Sequence, residues 1–121
     1  MITLQDVQAA ARRLAEADPE KVNPMGQYGK ACAYTSYLDP TWHCLAGQIL
    51  IELGLSVPRE NGAINTMPRV TEGIEPAGVE FMRWCQLHAD GSVGKDIRDD
   101  RVLVPWRKAY EFACYEMGII P

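Results

Sequence analysis

With 121 residues, 47% of them hydrophobic and 23% charged, the chain can bury one core but is too short for a catalytic domain and a separate regulatory one. A formal charge of −4 works against nonspecific nucleic-acid binding, which draws its affinity mainly from phosphates neutralised by Lys and Arg. No run approaches the roughly 18 apolar residues of a membrane span, and the opening MITLQDVQAAARRL lacks the basic start, apolar core and cleavage site of an export signal. The expectation is therefore a single compact domain over 1–121 in the cytoplasm, with neither nucleic acid nor membrane as partner.

Thr3 followed three residues later by Asp6 signals a helix N-cap. Leu4, Val7, Ala10, Ala11 and Leu14 then recur at helical spacing up to Asp18-Pro19. Gln5, Gln8, Arg12, Arg13 and Glu16 fall on the opposite, solvated face. Residues 23–30, NPMGQYGK, are turn-rich. Residues 31–38 carry Tyr34, Thr35 and Tyr37 in a β-favouring context, which predicts a strand or half of a hairpin. Asp39-Pro40-Thr41 predicts the start of a second helix running to about Leu53 with Gly54 as its left-handed stop.

Residues 55–75 read as a loop with one short helix after Pro58. Pro76 opens a third helix through Ala89, with Val79, Met82, Cys85 and Ala89 inward and Asp90-Gly91 ending it. A polar loop, VGKDIRDDR, leads to Pro105, which starts a last helix whose Trp106, Ala109, Tyr110, Ala113 and Met117 form an apolar stripe ending at Gly118. The fold class this predicts is α+β, mainly helical: four main helices with a short strand or hairpin packed on one side.

Cys32, Cys44, Cys85 and Cys114 suit two disulfides in a secreted protein, but in a reducing cytoplasm they read as buried thiols. Cys44 has the clearest chemical opportunity. Placed in the first turn of the second helix, its thiolate would be favoured by unpaired N–H groups and the helix dipole. A thiol hydrolase or transferase built on Cys44 also needs a base. His43 is adjacent but diverges by about 100 degrees along a helix, and His88 reaches only if the third helix packs beside the second.

Cys85 and His88 share a helical face, and Cys32, His43 and Cys44 supply further ligand types for a zinc-stabilised module, although the close CxxC or HxxxH pair usual in structural zinc sites is missing. A Cys85 in the core with a half-exposed His88 is the plainer expectation, and a Cys32–Cys44 disulfide joining strand to helix is a further one. No GxGxxG, Walker or GxSxG pattern occurs, so no cofactor is expected. Trp42, Trp84 and Trp106, with Tyr28, Tyr34 and Tyr37, either close the core or supply a recognition patch. Trp84, at the edge of its helix's inward face, is the leading anchor of a binding surface with Trp42 and Tyr37.

The stretch CAYTSYLDPTWHCLAGQILIELGL resembles a group of small uncharacterised proteins from actinobacteria and their phages. In that group a Cys-x-Tyr strand precedes a proline and then Cys-[LI]-[VA]-Gly-[QH] opens a helix ending in Leu-Gly. The matching residues are Cys32, Tyr34, Pro40, Cys44, Leu45, Ala46, Gly47, Gln48, Leu53 and Gly54. Val7 and Ala10 match in the first helix, and Asp100, Trp106 and Ala109 match weakly near the end. The resemblance implies a phage or prophage accessory protein that binds a host or phage protein or a second copy of itself. It also implies a joint role for Cys32 and Cys44, such as packing strand on helix.

Overall fold

The computed structural model describes residues 1–24, 34–36, 39–59, 62–92 and 102–121. Among these residues five helices follow in order: α1 (Leu4–Ala17), α2 (Leu45–Glu52), α3 (Pro68–Thr71), α4 (Pro76–Ala89) and α5 (Trp106–Met117), with a 3-10 turn at Ile64–Thr66 before α3. None is long and apolar enough to cross a membrane.

The helices form where the sequence predicts caps and periodicity together. Thr3 accepts from the Asp6 N–H while the Asp6 carboxylate accepts from the Thr3 N–H, a reciprocal capping box that satisfies two otherwise orphaned donors. Val7, Ala10, Ala11 and Ala15 of α1 are buried. Pro76 opens α4, whose inward residues include Phe81, Met82, Cys85 and Ala89, with Val79 half-buried at the margin. In α5 the buried stripe is Trp106, Ala109, Tyr110, Ala113 and Cys114, with Met117 half-buried beyond it.

Helix α4 is the centre of the packing, lying against α5 on one side and touching α1 and α2 on others. The α1–α4 crossing is close because Gly78 has no side chain: a Cβ there would stand 2.9 Å from Ile74 Cγ2 and 3.1 Å from Val7 Cγ2. A parallel bridge between Ile2 and Ile74 fastens the starts of the two helices, and the Glu75 carboxylate accepts the Leu4 N–H at 2.6 Å.

The expected α+β class is overturned. Among the described residues there is no strand or sheet. The 31–38 segment is described only at 34–36, where Thr35 makes a single antiparallel bridge with His43. The two hydrogen bonds of that bridge pair residues 34–36 with 42–44, and the pairing goes no further because α2 begins at Leu45. The Ser36 N–H donates to the Trp42 carbonyl, and the Tyr34 carbonyl accepts the Cys44 N–H at the head of α2. The β preference of tyrosine and threonine depends on a flat partner surface to pack against, and here the partner is a helix end.

Helix α2 also starts later than expected. The Asp39 carboxylate accepts from both the N–H and the hydroxyl of Thr41, which closes a local turn and leaves Cys44 as the N-cap of a helix beginning at Leu45. Its stop at Gly54, with φ of 77°, is as predicted. The short helix expected after Pro58 lies instead at Pro68, where proline again occupies the first turn.

Candidate functional site

The sequence directs attention first to Cys44, and the fold places it at the junction of a loop and a buried helix start. Its sulfur accepts the Gly47 N–H at 3.3 Å, acting as the side-chain cap of α2, and the residue is only 1% exposed. The neighbouring Leu45 N–H is capped by the Asn23 side-chain carbonyl at 2.8 Å. The wall above this turn is backbone: a Cβ on Gly47 would come within 2.7 Å of the Tyr34 carbonyl oxygen.

Neither imidazole serves Cys44. His43 lies outside α2, in the bridge, and its Nδ1 is 2.9 Å from the Thr35 hydroxyl. Helix α4 does pack against α2, which was the condition for His88 to approach, but His88 faces α5, where its Nε2 meets the Glu116 carboxylate at 3.2 Å. Cys44 therefore caps a helix, and the imidazoles of His43 and His88 are engaged with Thr35 and Glu116.

The proposed ligand set is dispersed in the same way. Cys85 lies in the core, where burial, with Cys114 nearby, pushes its thiol well above the ordinary range, while His88 is at the rim on Glu116. Among the described residues no three His, Cys, Asp or Glu side chains converge as a metal site. Cys32, and with it the Cys32–Cys44 pairing, falls outside the described residues, as does Tyr37.

Two buried amides that the sequence reading missed organise the loops around this core. Asn23, 1% exposed, accepts from the Leu45 N–H and from the Trp106 indole N–H at 2.9 Å, and donates to the Asp90 carboxylate at 2.8 Å. One side chain thus joins the starts of α2 and α5 to the end of α4. Gln86 donates to the Tyr34 hydroxyl and the Gly62 carbonyl and accepts the Ile64 N–H, fastening the loop before the 3-10 turn to α4. Trp106 is core, and Trp42 is half-buried with its indole N–H on the Val22 carbonyl.

Trp84 opens the second place of interest, the outer seam of α4 and α5. Its ring lies 6.0 Å from that of His88, which lies 5.2 Å from Phe112 across the seam. The Arg83 guanidinium sits over the outer ring of this stack, 5.1 Å from the Trp84 centroid. Phe112 is 46% exposed and Tyr115, one turn further along α5, is 82% exposed. The signal for both was present in the sequence, since they fall off the stripe of Trp106, Ala109, Tyr110 and Ala113. The stacking of His88 between residues of two helices was not, because it depends on how α4 and α5 pack.

A third feature lies between α1 and α5, where Arg12, Ala15, Glu16, Pro19, Arg107 and Tyr110 line much of a cavity of about 400 Å³. The polar face of α1, expected to be solvated, is partly committed here. Arg12 and Gln8 donate to the Tyr110 hydroxyl, and Gln8 also donates to the Ile120 carbonyl at 2.7 Å. The two arginines and two glutamates around this cavity leave it no dominant charge. No protein-family model, curated protein or solved structure matches the chain.

Proposed function

We propose that this protein is a small helical accessory protein that acts by binding another protein through the outer seam of α4 and α5. The observation that carries the reading is the exposed aromatic run of Phe112 and Tyr115, continuous with the His88 and Trp84 rings and edged by Arg83. Aromatic and arginine side chains supply most of the anchoring energy of protein interfaces. Here Trp84, His88 and Phe112 are held by ring stacking and the His88–Glu116 contact, which lowers the ordering cost of docking. The resemblance to small actinobacterial and phage proteins is in keeping with a binding role and with action in a host cell. Trp84, expected from the sequence as an anchor, belongs to this seam, whereas Trp42 is half-buried with its indole N–H on the Val22 carbonyl and Tyr37 lies outside the described residues.

The test is a photo-crosslinking residue at position 115 in protein expressed in an actinobacterial host. Discrete adducts that disappear with Phe112→Ser are expected. Absence of adducts, or adducts indifferent to Phe112→Ser, refutes the reading.

A further inference from the structure

We infer that the partner of the α5 face is a second copy of this chain, docked antiparallel with Phe112 at the two-fold axis. The inference rests on the reading of this seam as a binding surface and adds the identity of its occupant. Its ground is the order of charges along the exposed side of α5. Lys108 lies four residues before Phe112, Glu116 lies four residues after it, and positions four apart stack along one side of a helix. A two-fold axis through Phe112 therefore brings Lys108 of each copy opposite Glu116 of the other, so one complementary contact occurs twice. A parallel pairing would set lysine on lysine and glutamate on glutamate, and the charge pattern selects against it.

Both charges are available for this. Lys108 is exposed and forms no ion pair among the described residues. Glu116 directs Oε1 to His88, leaving its other carboxylate oxygen for a cation from outside. Between them Phe112 and the more exposed Tyr115 supply the apolar centre, and Trp84 with Arg83 extends the contact onto α4. A helix pair of this length buries less than the roughly 800 Å² per partner of a standard interface, so the dimer is a weak one that dissociates on dilution.

Sedimentation velocity from micromolar to millimolar chain tests the proposal. The native protein is expected to pass from monomer to dimer. Lys108→Glu alone and Glu116→Lys alone each weaken the dimer by about tenfold, because each converts two attractive contacts into two repulsive ones. The Lys108→Glu/Glu116→Lys double variant, with the charges exchanged, recovers it. Phe112→Ser removes the apolar centre and abolishes it, with an unchanged helical circular dichroism spectrum separating loss of contact from loss of fold.

A native protein that remains monomeric throughout, or a double variant no stronger than the singles, overturns the self-pairing. The failures are distinguishable. A monomeric protein that still gives a crosslinked adduct with another protein loses this inference and keeps the binding seam, whereas a monomer without adducts loses both.

Discussion

Replacing Asn23 by alanine removes a side chain on which three elements depend, and the cost can be worked from its partners. The substitution strands the Leu45 backbone N–H and the Trp106 indole N–H, both buried, and takes one donor from the buried Asp90 carboxylate. A buried donor left without an acceptor costs about 1–3 kcal/mol. Two such donors, with a smaller contribution from a carboxylate that keeps other interactions, give a loss of about 3–5 kcal/mol. Against the 5–15 kcal/mol typical of a domain, that is a large part of the whole.

Urea unfolding followed by tryptophan fluorescence would show a midpoint shifted far down at unchanged slope. Native emission should also change, because the Trp106 indole loses its acceptor. A loss below about 1 kcal/mol would refute the reasoning, since it would mean that the stranded groups are satisfied without the amide.

Two further perturbations separate packing from capping. Gly47→Ala places a methyl group within 2.7 Å of the Tyr34 carbonyl, a backbone atom that cannot swing aside. It should destabilise by about 1–3 kcal/mol despite alanine's higher helix propensity, with Gly73→Ala, where a Cβ meets nothing within 4 Å, as the comparison in the same unfolding assay. At the start of α1 the N–H and hydroxyl of Thr3 hold the Asp6 carboxyl below its ordinary range. Because the folded value is the lower one, the associated stability is complete above the unfolded value near 3.9 and is lost as pH falls through the folded one. Thr3→Ala should therefore remove part of the acid sensitivity of unfolding, measured as a smaller drop in midpoint between neutral and acid pH.

The helices were legible because their signals are local. A cap, a proline and a 3.6-residue period lie within a few positions of one another, as at Thr3 and Asp6 or Pro76 to Ala89. The strand expectation failed because tyrosine and threonine report only a liking for a pleated surface. Here the pairing of 34–36 with 42–44 stops at the single Thr35–His43 bridge because α2 begins at Leu45, and the Tyr34 hydroxyl donates to the Gly62 carbonyl. The start of α2 was misplaced by three to five residues because Asp39 and Thr41 satisfy each other as well as they would cap a helix. Asn23 and Gln86 were invisible because an amide in a sequence reads as polar surface, and only their partners, 22 and more residues distant, make them core.

The same division bears on the aromatic seam of α4 and α5. Trp84 was identifiable from its position at the edge of the α4 stripe, but a recognition surface consists of what two helices present together. Phe112 completes the stack only because α5 packs against α4 in the register that brings it to His88. That register is set inside the molecule by Trp106, whose indole is bonded to Asn23 and whose backbone N–H is bonded to the Lys21 carbonyl. The buried amide and the exposed aromatics are therefore linked. Asn23 fixes where α5 begins, its buried stripe fixes how it rotates, and the residues left outside that stripe are the ones presented outward. Opposite charges four residues to either side of Phe112 have consequences only on a helix whose outward face is held in this way, so the stability of the core and the proposed association at the seam both depend on one packing arrangement.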